Sequence, residues 1–245
     1  MSGDLIDTTE MYLKTVFELE ESGIRPLRAR IAERLDHSGP TVSQTVARME
    51  RDGLLTLDEH RLIHLTEHGR DLATAVMRKH RLAERHLLDQ LGLEYGKVHE
   101  EACRWEHVMS EDVERRIAAM IEPPFLDPYG NPIPGLEALG IDPRETEATP
   151  GGKDSVKVGS PISDLLAAGD EEPLEIIRIG ERAQSNPTVL DELARHDVRP
   201  GTIVTGVAES GGYRLEVADG AASGGSIRLT SEAAGQIVVR PAPHR

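Results

Sequence analysis

The chain has a single cysteine in 245 residues. An internal disulfide is therefore excluded, and the thiol fits ligation or redox sensitivity in a reducing compartment. No uncharged apolar run approaches the length needed to cross a bilayer, and the start shows no basic region followed by an apolar one. The protein is therefore expected in the cytoplasm, without a membrane partner. Positive charge is scarce too: 28 Lys and Arg face 43 Asp and Glu, a formal charge of -15. Such an acidic whole argues against broad nucleic-acid binding, because a phosphate backbone selects basic surfaces. The exception is local. From Arg25 to Arg51, six arginines (Arg25, Arg28, Arg30, Arg34, Arg48, Arg51) meet only Glu33, Asp36 and Glu50, a net +3 that confines any DNA contact to that segment. The chain also has no His-Glu-x-x-His helix and no glycine-rich phosphate loop, which counts against a metal-dependent hydrolase.

What the chain does have is a group of metal ligands. Cys103, Glu106 and His107 follow His99 by one to two helical turns, and His80 and Glu84 lie further upstream. At 3.6 residues per turn Cys103, Glu106 and His107 share one helix face, as do His80 and Glu84. Thiolate, imidazole and carboxylate together suit a divalent transition metal and not calcium or magnesium. The competing reading of a His- and Glu-rich helix is a solvated surface; it is weaker for the cysteine group, since the only thiol sits three and four residues from a Glu and a His.

The chain length allows two or three compact units. Asp7-Thr8-Thr9-Glu10 has the form of a capping box ahead of a helix running from about Thr8 to Glu21. A short helix follows Pro26, and Asp36-His37-Ser38-Gly39 reads as a turn whose Ser38 caps a third helix with Pro40 in its first turn. The short runs Leu54–Leu57 and Arg61–Leu65 make a hairpin. A helix-turn-helix with a hairpin behind it is the outline of a winged helix, a DNA-binding unit; an ordinary three-helix unit with an attached hairpin is the alternative. Thr66 caps a long helix through about Leu91, a further helix spans about Gly96 to Met109, and Ser110-Glu111-Asp112 starts another. Their apolar stripes exceed what so short a segment can bury alone, so a homodimer is expected. A proline-rich irregular stretch follows Ile121, then a polar linker, then runs such as Leu174–Ile179, Ile203–Val207, Tyr213–Val217 and Gln236–Val239 that predict a small β-barrel with a helix near Thr188–Arg195. The expected domains are 1–73 (winged helix), 74–141 (helical dimerisation and metal-binding), 142–159 (flexible linker) and 160–245 (barrel), giving a mainly α fold with β.

Several segments resemble the iron-dependent regulator (DtxR/IdeR) family: Asp7–Leu13, Pro26–Leu35, Ser38–Gly53, Ala75–Arg85, Ala102–Ser110 and Gly130–Gly135. The likeness covers roughly residues 4 to 141 and is weaker beyond, where the family implies an SH3-like barrel. It implies a transcriptional repressor that binds operator DNA when loaded with Fe2+, with two metal sites per chain. By that analogy one site uses Met11, Cys103, Glu106 and His107. The other uses His80, Glu84 and His99, completed by Glu181 and Gln184 from the barrel. On the recognition helix the family's base-contacting positions correspond to Ser38, Pro40 and Gln44, with Arg28, Thr41, Ser43, Arg48 and Arg51 on phosphates.

The family also implies an anion held by Arg81 and Asn131. Here Asp127 stands where relatives tend to have serine, and a carboxylate cannot donate to an anion, so that site is expected to be weakened or replaced by an Asp127–Arg81 pair. The sulfur ligands Cys103 and Met11 favour Fe2+, Co2+ or Ni2+ over Mn2+, and cellular availability points to iron. A manganese-responsive regulator of the same fold is the alternative.

Overall fold

The computed structural model describes residues 2–141, 159–167, 172–218 and 224–243, with side chains from residue 8 onward. Apart from Gly159, the expected linker lies outside the described residues.

Three helices, α1 (Ser2–Glu21), α2 (Arg28–Leu35) and α3 (Gly39–Arg51), are followed by an antiparallel hairpin of β1 (Leu55–Leu57) and β2 (Ile63–Leu65). Ser38 begins α3: its Oγ accepts from the Thr41 amide at 3.4 Å, and Pro40 occupies the first turn. The apolar face of each helix closes one core, in which Tyr12, Leu13, Val16 and Leu19 of α1 meet Ile31 of α2, Val42, Val46 and Met49 of α3, and Leu55 and Ile63 of the hairpin. One expectation fails here. α1 begins at Ser2, so Asp7 lies inside the helix and not at the extended cap position that a capping box requires.

Thr66 caps α4 (Glu67–Asp89), accepting from the Gly69 amide at 3.0 Å. A Cβ on Gly69 would lie 1.9 Å from the Leu54 carbonyl oxygen, so only glycine lets α4 press this closely on the end of the wing unit. α5 (Tyr95–Trp105) and α6 (Glu111–Ala118) pack against α4. α5 is shorter than the periodicity predicts. Glu106 is its C-terminal cap residue and His107 lies in the turn beyond, so the expected single helical face ends at Cys103.

The C-terminal unit comprises β3 (Ser160–Pro161), α7 (Ile162–Ala167), β4 (Leu174–Ile179), α8 (Glu181–Gln184), α9 (Pro187–Arg195), β5 (Ile203–Glu209), β6 (Gly212–Val217), β7 (Ser226–Thr230), α10 (Ser231–Ala234) and β8 (Ile237–Pro241). Its strands form an antiparallel sheet in the order β3-β8-β4-β5-β6-β7, which is the expected small barrel unit with β3 and β7 added. β3 is only two residues long, whereas β7 alternates exposed and buried residues through Ser226–Thr230 and was legible as a strand. A single core runs from Leu82, Val98 and Ala102 of the helical unit through Tyr129 and Ile133 to Ile176, Leu190 and Val239 of the sheet unit. The loop Asp127–Asn131 makes that junction. Gly130 sits at φ +86°, and a Cβ there would meet the Ile177 carbonyl oxygen at 2.2 Å. Ile179 N donates to Tyr129 O at 2.8 Å across the same seam.

Candidate metal centre and DNA face

Four elements converge on one buried polar cluster. α4 carries His80 and Glu84 one turn apart, and α5 carries His99 and Cys103 one turn apart. Glu106 lies just past α5, and the sharp β4–α8 turn delivers Glu181 from the sheet unit. His80 Nε2 lies 2.9 Å from Glu84 Oε1, 3.2 Å from His99 Nδ1 and 3.4 Å from Glu181 Oε2. His99 Nδ1 lies 3.1 Å from Glu84 Oε1, and its Nε2 lies 3.7 Å from Cys103 Sγ. One ligand atom each from His80, Glu84, His99 and Glu181 lie mutually within 4.8 Å, and the same holds for His80, His99 and Cys103.

The donor set fits a cation. Glu84 Oε2, Glu181 Oε2 and Gln184 Oε1 are buried without a hydrogen-bond partner among the described residues, whereas buried carboxylate oxygens ordinarily find one. Gln184 shares α8 with Glu181 and is itself buried, its Nε2 donating to Ile179 O at 2.7 Å. Two carboxylates with two imidazoles beside them are suited to a divalent ion.

The electrostatics are those of ligands that already face positive charge. Burial pushes the Cys103 thiol up, but the Lys14 ammonium and His80 outweigh it and hold the pKa down at about 5. Burial likewise raises Glu106, and the same two neighbours bring it to about 2. His99 is lowered by burial and raised further by hydrogen bonds to Cys103 and Glu84, reaching about 10.

The expected sulfur-bearing set is only partly assembled. Met11 shares a cavity of about 530 Å³ with Cys103, Glu106, His107 and His99. His107 Nδ1 bonds Glu10 Oε2 at 2.7 Å, and its Nε2 stands 3.4 Å from Glu106 Oε1. Glu106 Oε2 is instead taken by His80 Nδ1 and Lys14 Nζ, each at 2.7 Å. The two ligand sets, separate in the sequence reading, therefore meet through His80–Glu106 and His99–Cys103. Lys14, Glu10 and Ser185, whose Oγ lies 3.1 Å from His99 Nε2, were not singled out from the sequence. Helical spacing could have found the first, because Lys14 lies one turn after Met11 on α1.

Beside the cluster Arg81 is completely buried. Its guanidinium donates to Glu21 at 3.0 and 2.6 Å, to Glu181 Oε1 at 3.2 and 3.1 Å, and to Pro132 O at 2.6 Å. Asp127 Oδ2 stands 3.6 Å from Arg81 Nε and accepts from Asn131 Nδ2 at 2.8 Å. Asp127 Oδ1 accepts from the Tyr129 and Asn131 amides, both at 2.8 Å. Arg81 and Asn131 are thus brought together with Asp127 between them.

In the winged unit, Ser38, Pro40, Thr41, Gln44 and Arg51 are exposed at α3, while Arg28, Ser43 and Arg48 are half-buried. Arg48 Nη2 donates to Thr9 Oγ1 at 3.1 Å, tying α3 to α1.

A winged helix with a solvent-facing third helix, joined by its first helix to a buried nest of His, Glu and Cys, defines a metal-responsive DNA-binding regulator. Family models agree: "Iron dependent repressor, N-terminal DNA binding domain" matches residues 4–61, and "Iron dependent repressor, metal binding and dimerisation domain" matches residues 66–135. The chain belongs to the iron-dependent repressor family. It is 51% identical over 212 residues to the diphtheria toxin repressor of Corynebacterium diphtheriae, covering 86% of this chain and 89% of that protein. It is 53% identical over 209 residues to the iron-dependent repressor IdeR of Mycobacterium tuberculosis, covering 85% and 87%. Among solved structures, a manganese-dependent transcriptional repressor in complex with manganese superposes with a TM-score of 0.73 at 26% identity, covering 96% of this chain and 100% of that one. The manganese regulator SloR superposes with a TM-score of 0.70 at 25% identity, covering 96% and 98%. No helix among the described residues is long and apolar enough to cross a membrane.

Proposed function

We propose that this repressor is switched by Fe2+ held at two sites per chain, and that it then binds a palindromic operator as a homodimer in the cytoplasm to control iron-homeostasis genes. The observation that carries this reading is the cluster of His80, Glu84, His99 and Glu181, whose Glu84 Oε2 and Glu181 Oε2 are buried without a hydrogen-bond partner among the described residues, with the buried Gln184 on the same short helix as Glu181. Those five residues would hold one ion. Met11, Cys103, Glu106 and His107 would hold the other, with sulfur favouring iron, cobalt or nickel. A bound ion would supply bonds between the two units in addition to their packing. What this chain's residues contribute is placement: Met11 rides on α1 of the reading unit and Cys103 on α5, so their shared cavity joins the two.

The assignment takes residues 1–73 as the reading unit, 74–141 as the dimerising and metal-binding unit, 142–159 as a linker and 160–245 as the barrel. Val108, Val113 and Met120, exposed at and around α6, give the helical unit an apolar face suited to a second copy. Gln44 and Pro40 would read base edges with Ser38, while Arg28, Thr41, Ser43, Arg48 and Arg51 would hold phosphates. Arg81 and Asn131 hold no external anion in this assignment, because Glu21 and Glu181 supply the negative charge to Arg81 and Asp127 occupies the side-chain amide of Asn131. The protein performs no catalysis, in keeping with a family of repressors.

The test is an anaerobic gel-shift on operator DNA. A shift that requires Fe2+ and is abolished by a chelator is expected; equal binding by the thoroughly demetallated protein would refute the reading. A stronger response to Mn2+ than to Fe2+ would favour the manganese alternative, which the solved manganese regulators of the same fold make specific.

A further inference from the structure

Among the described residues, Lys14 is the one lysine whose ammonium is buried against the ligand cluster. It is 6% exposed, with Nζ 2.7 Å from Glu106 Oε2, 3.0 Å from His80 Nδ1 and 3.8 Å from Cys103 Sγ. These three atoms come from both halves of the cluster, yet the amine is donated by α1, one turn after Met11. A charged ammonium has three donors and no lone pair, so it cannot ligate an ion. It can only occupy the lone pairs that an ion would use.

Resting on the metal-switched reading above, we infer that Lys14 is a built-in competitor for the metal: its ammonium holds the carboxylate of Glu106 and the sulfur of Cys103 until a divalent ion displaces it. Three consequences follow from the geometry. The metal-free protein is held in a defined docking of α1 on α5 by the Lys14–Glu106 pair, and is not merely slack. Loading exchanges one α1 side chain, Lys14, for another, Met11, so that the contact between reading unit and helical unit shifts by about one helical turn of side chains. The threshold concentration of metal is set in part by a residue that never touches the ion, because two cations cannot share ligands a few ångströms apart in a low-dielectric site. Exchange of this kind shifts a population between two docked states in proportion to the ion's preference for one of them.

Two measurements test this on the full chain. First, Co2+ affinity is read from its absorption spectrum in competition with a chelator for wild type, Lys14→Met and Lys14→Gln. Removing the competitor should tighten binding by roughly tenfold or more, whereas unchanged or weaker binding would overturn the inference by making Lys14 a supporting contact of the loaded state. Second, wild-type Lys14 is labelled with an amine-reactive acyl reagent, with the exposed Lys97 as reference. Lys14 should be protected without metal and become reactive when Co2+ is bound; protection in both states would overturn the inference even if neither variant folds. Wild type that binds no Co2+ would instead refute the metal-switched reading itself, and this inference with it.

Discussion

Arg81 and Glu21 are joined by two parallel hydrogen bonds, Nη1 to Oε1 at 3.0 Å and Nη2 to Oε2 at 2.6 Å, across sixty residues of sequence. Glu21 ends the first helix of the reading unit and Arg81 lies at the centre of the helical unit, where the same guanidinium also meets Glu181 of the sheet unit. One side chain therefore ties three parts of the molecule. Arg81→Met should destabilise the metal-free protein by about 3–5 kcal/mol, because it leaves the buried Glu181 carboxylate without its guanidinium partner. Glu21→Gln, at the solvent edge of the network, should cost less. Urea unfolding of both variants checks this, and equal losses would mean that Arg81 is not the hub.

Cys103→Ser and His80→Ala should differ in kind. The cavity at Cys103 is walled by Met11 and Lys14 of α1, so its loss should weaken metal binding on the order of a hundredfold or more and abolish metal-dependent operator binding. His80 belongs to the carboxylate-rich group and meets the sulfur-bearing side through Glu106 and Cys103. Its loss should remove one ion per chain and weaken operator binding by about tenfold. Metal stoichiometry after anaerobic dialysis, paired with gel-shift, separates the two; a His80 variant as inactive as the Cys103 variant would show that the groups act as one site.

Gln44 and Arg51 lie exposed on the same edge of α3 but would serve different ends. Gln44→Ala should relax sequence preference, costing about 1–3 kcal/mol on the operator and little on random DNA, whereas Arg51→Ala should weaken binding to both and lower the salt slope by about one. Binding measured at several salt concentrations on both kinds of DNA decides it. Parallel losses for the two variants would contradict the assignment.

The Glu106 carboxyl, raised by burial but lowered more by Lys14 and His80, titrates at about 2 in the fold against 4.5 when unperturbed. Its folded value is the depressed one. The stabilisation is therefore complete above about pH 4.5 and is lost as the pH falls towards 2, an amount of roughly 2–4 kcal/mol in the metal-free protein. Urea unfolding at pH 5 and pH 3 should show this loss, and Glu106→Gln should flatten it. Identical slopes in wild type and variant would exclude the Lys14–Glu106 pair as its source.

Local order fixed much of what could be read without coordinates. Val42, Val46 and Met49 repeat at helical spacing and bury one face, Ser38 and Pro40 mark where α3 starts, and His80 with Glu84 and His99 with Cys103 meet because four residues make about one turn. These are properties of adjacent residues, and the sequence carries them. The extent of helices was less legible. α1 begins six residues before the expected start at Thr8, and α5 stops at Trp105, because helix ends depend on what the chain packs against as well as on the residues at the boundary.

Tertiary structure alone decided the rest. That Lys14 takes Glu106, that His107 turns to Glu10, that Asp127 stands beside Arg81, and that the two ligand groups touch through His80 are all contacts between segments far apart in sequence. Buried charges choose partners by proximity and desolvation once the core has closed. No periodicity along the chain encodes that choice, whereas the residue types able to make it were visible from the start.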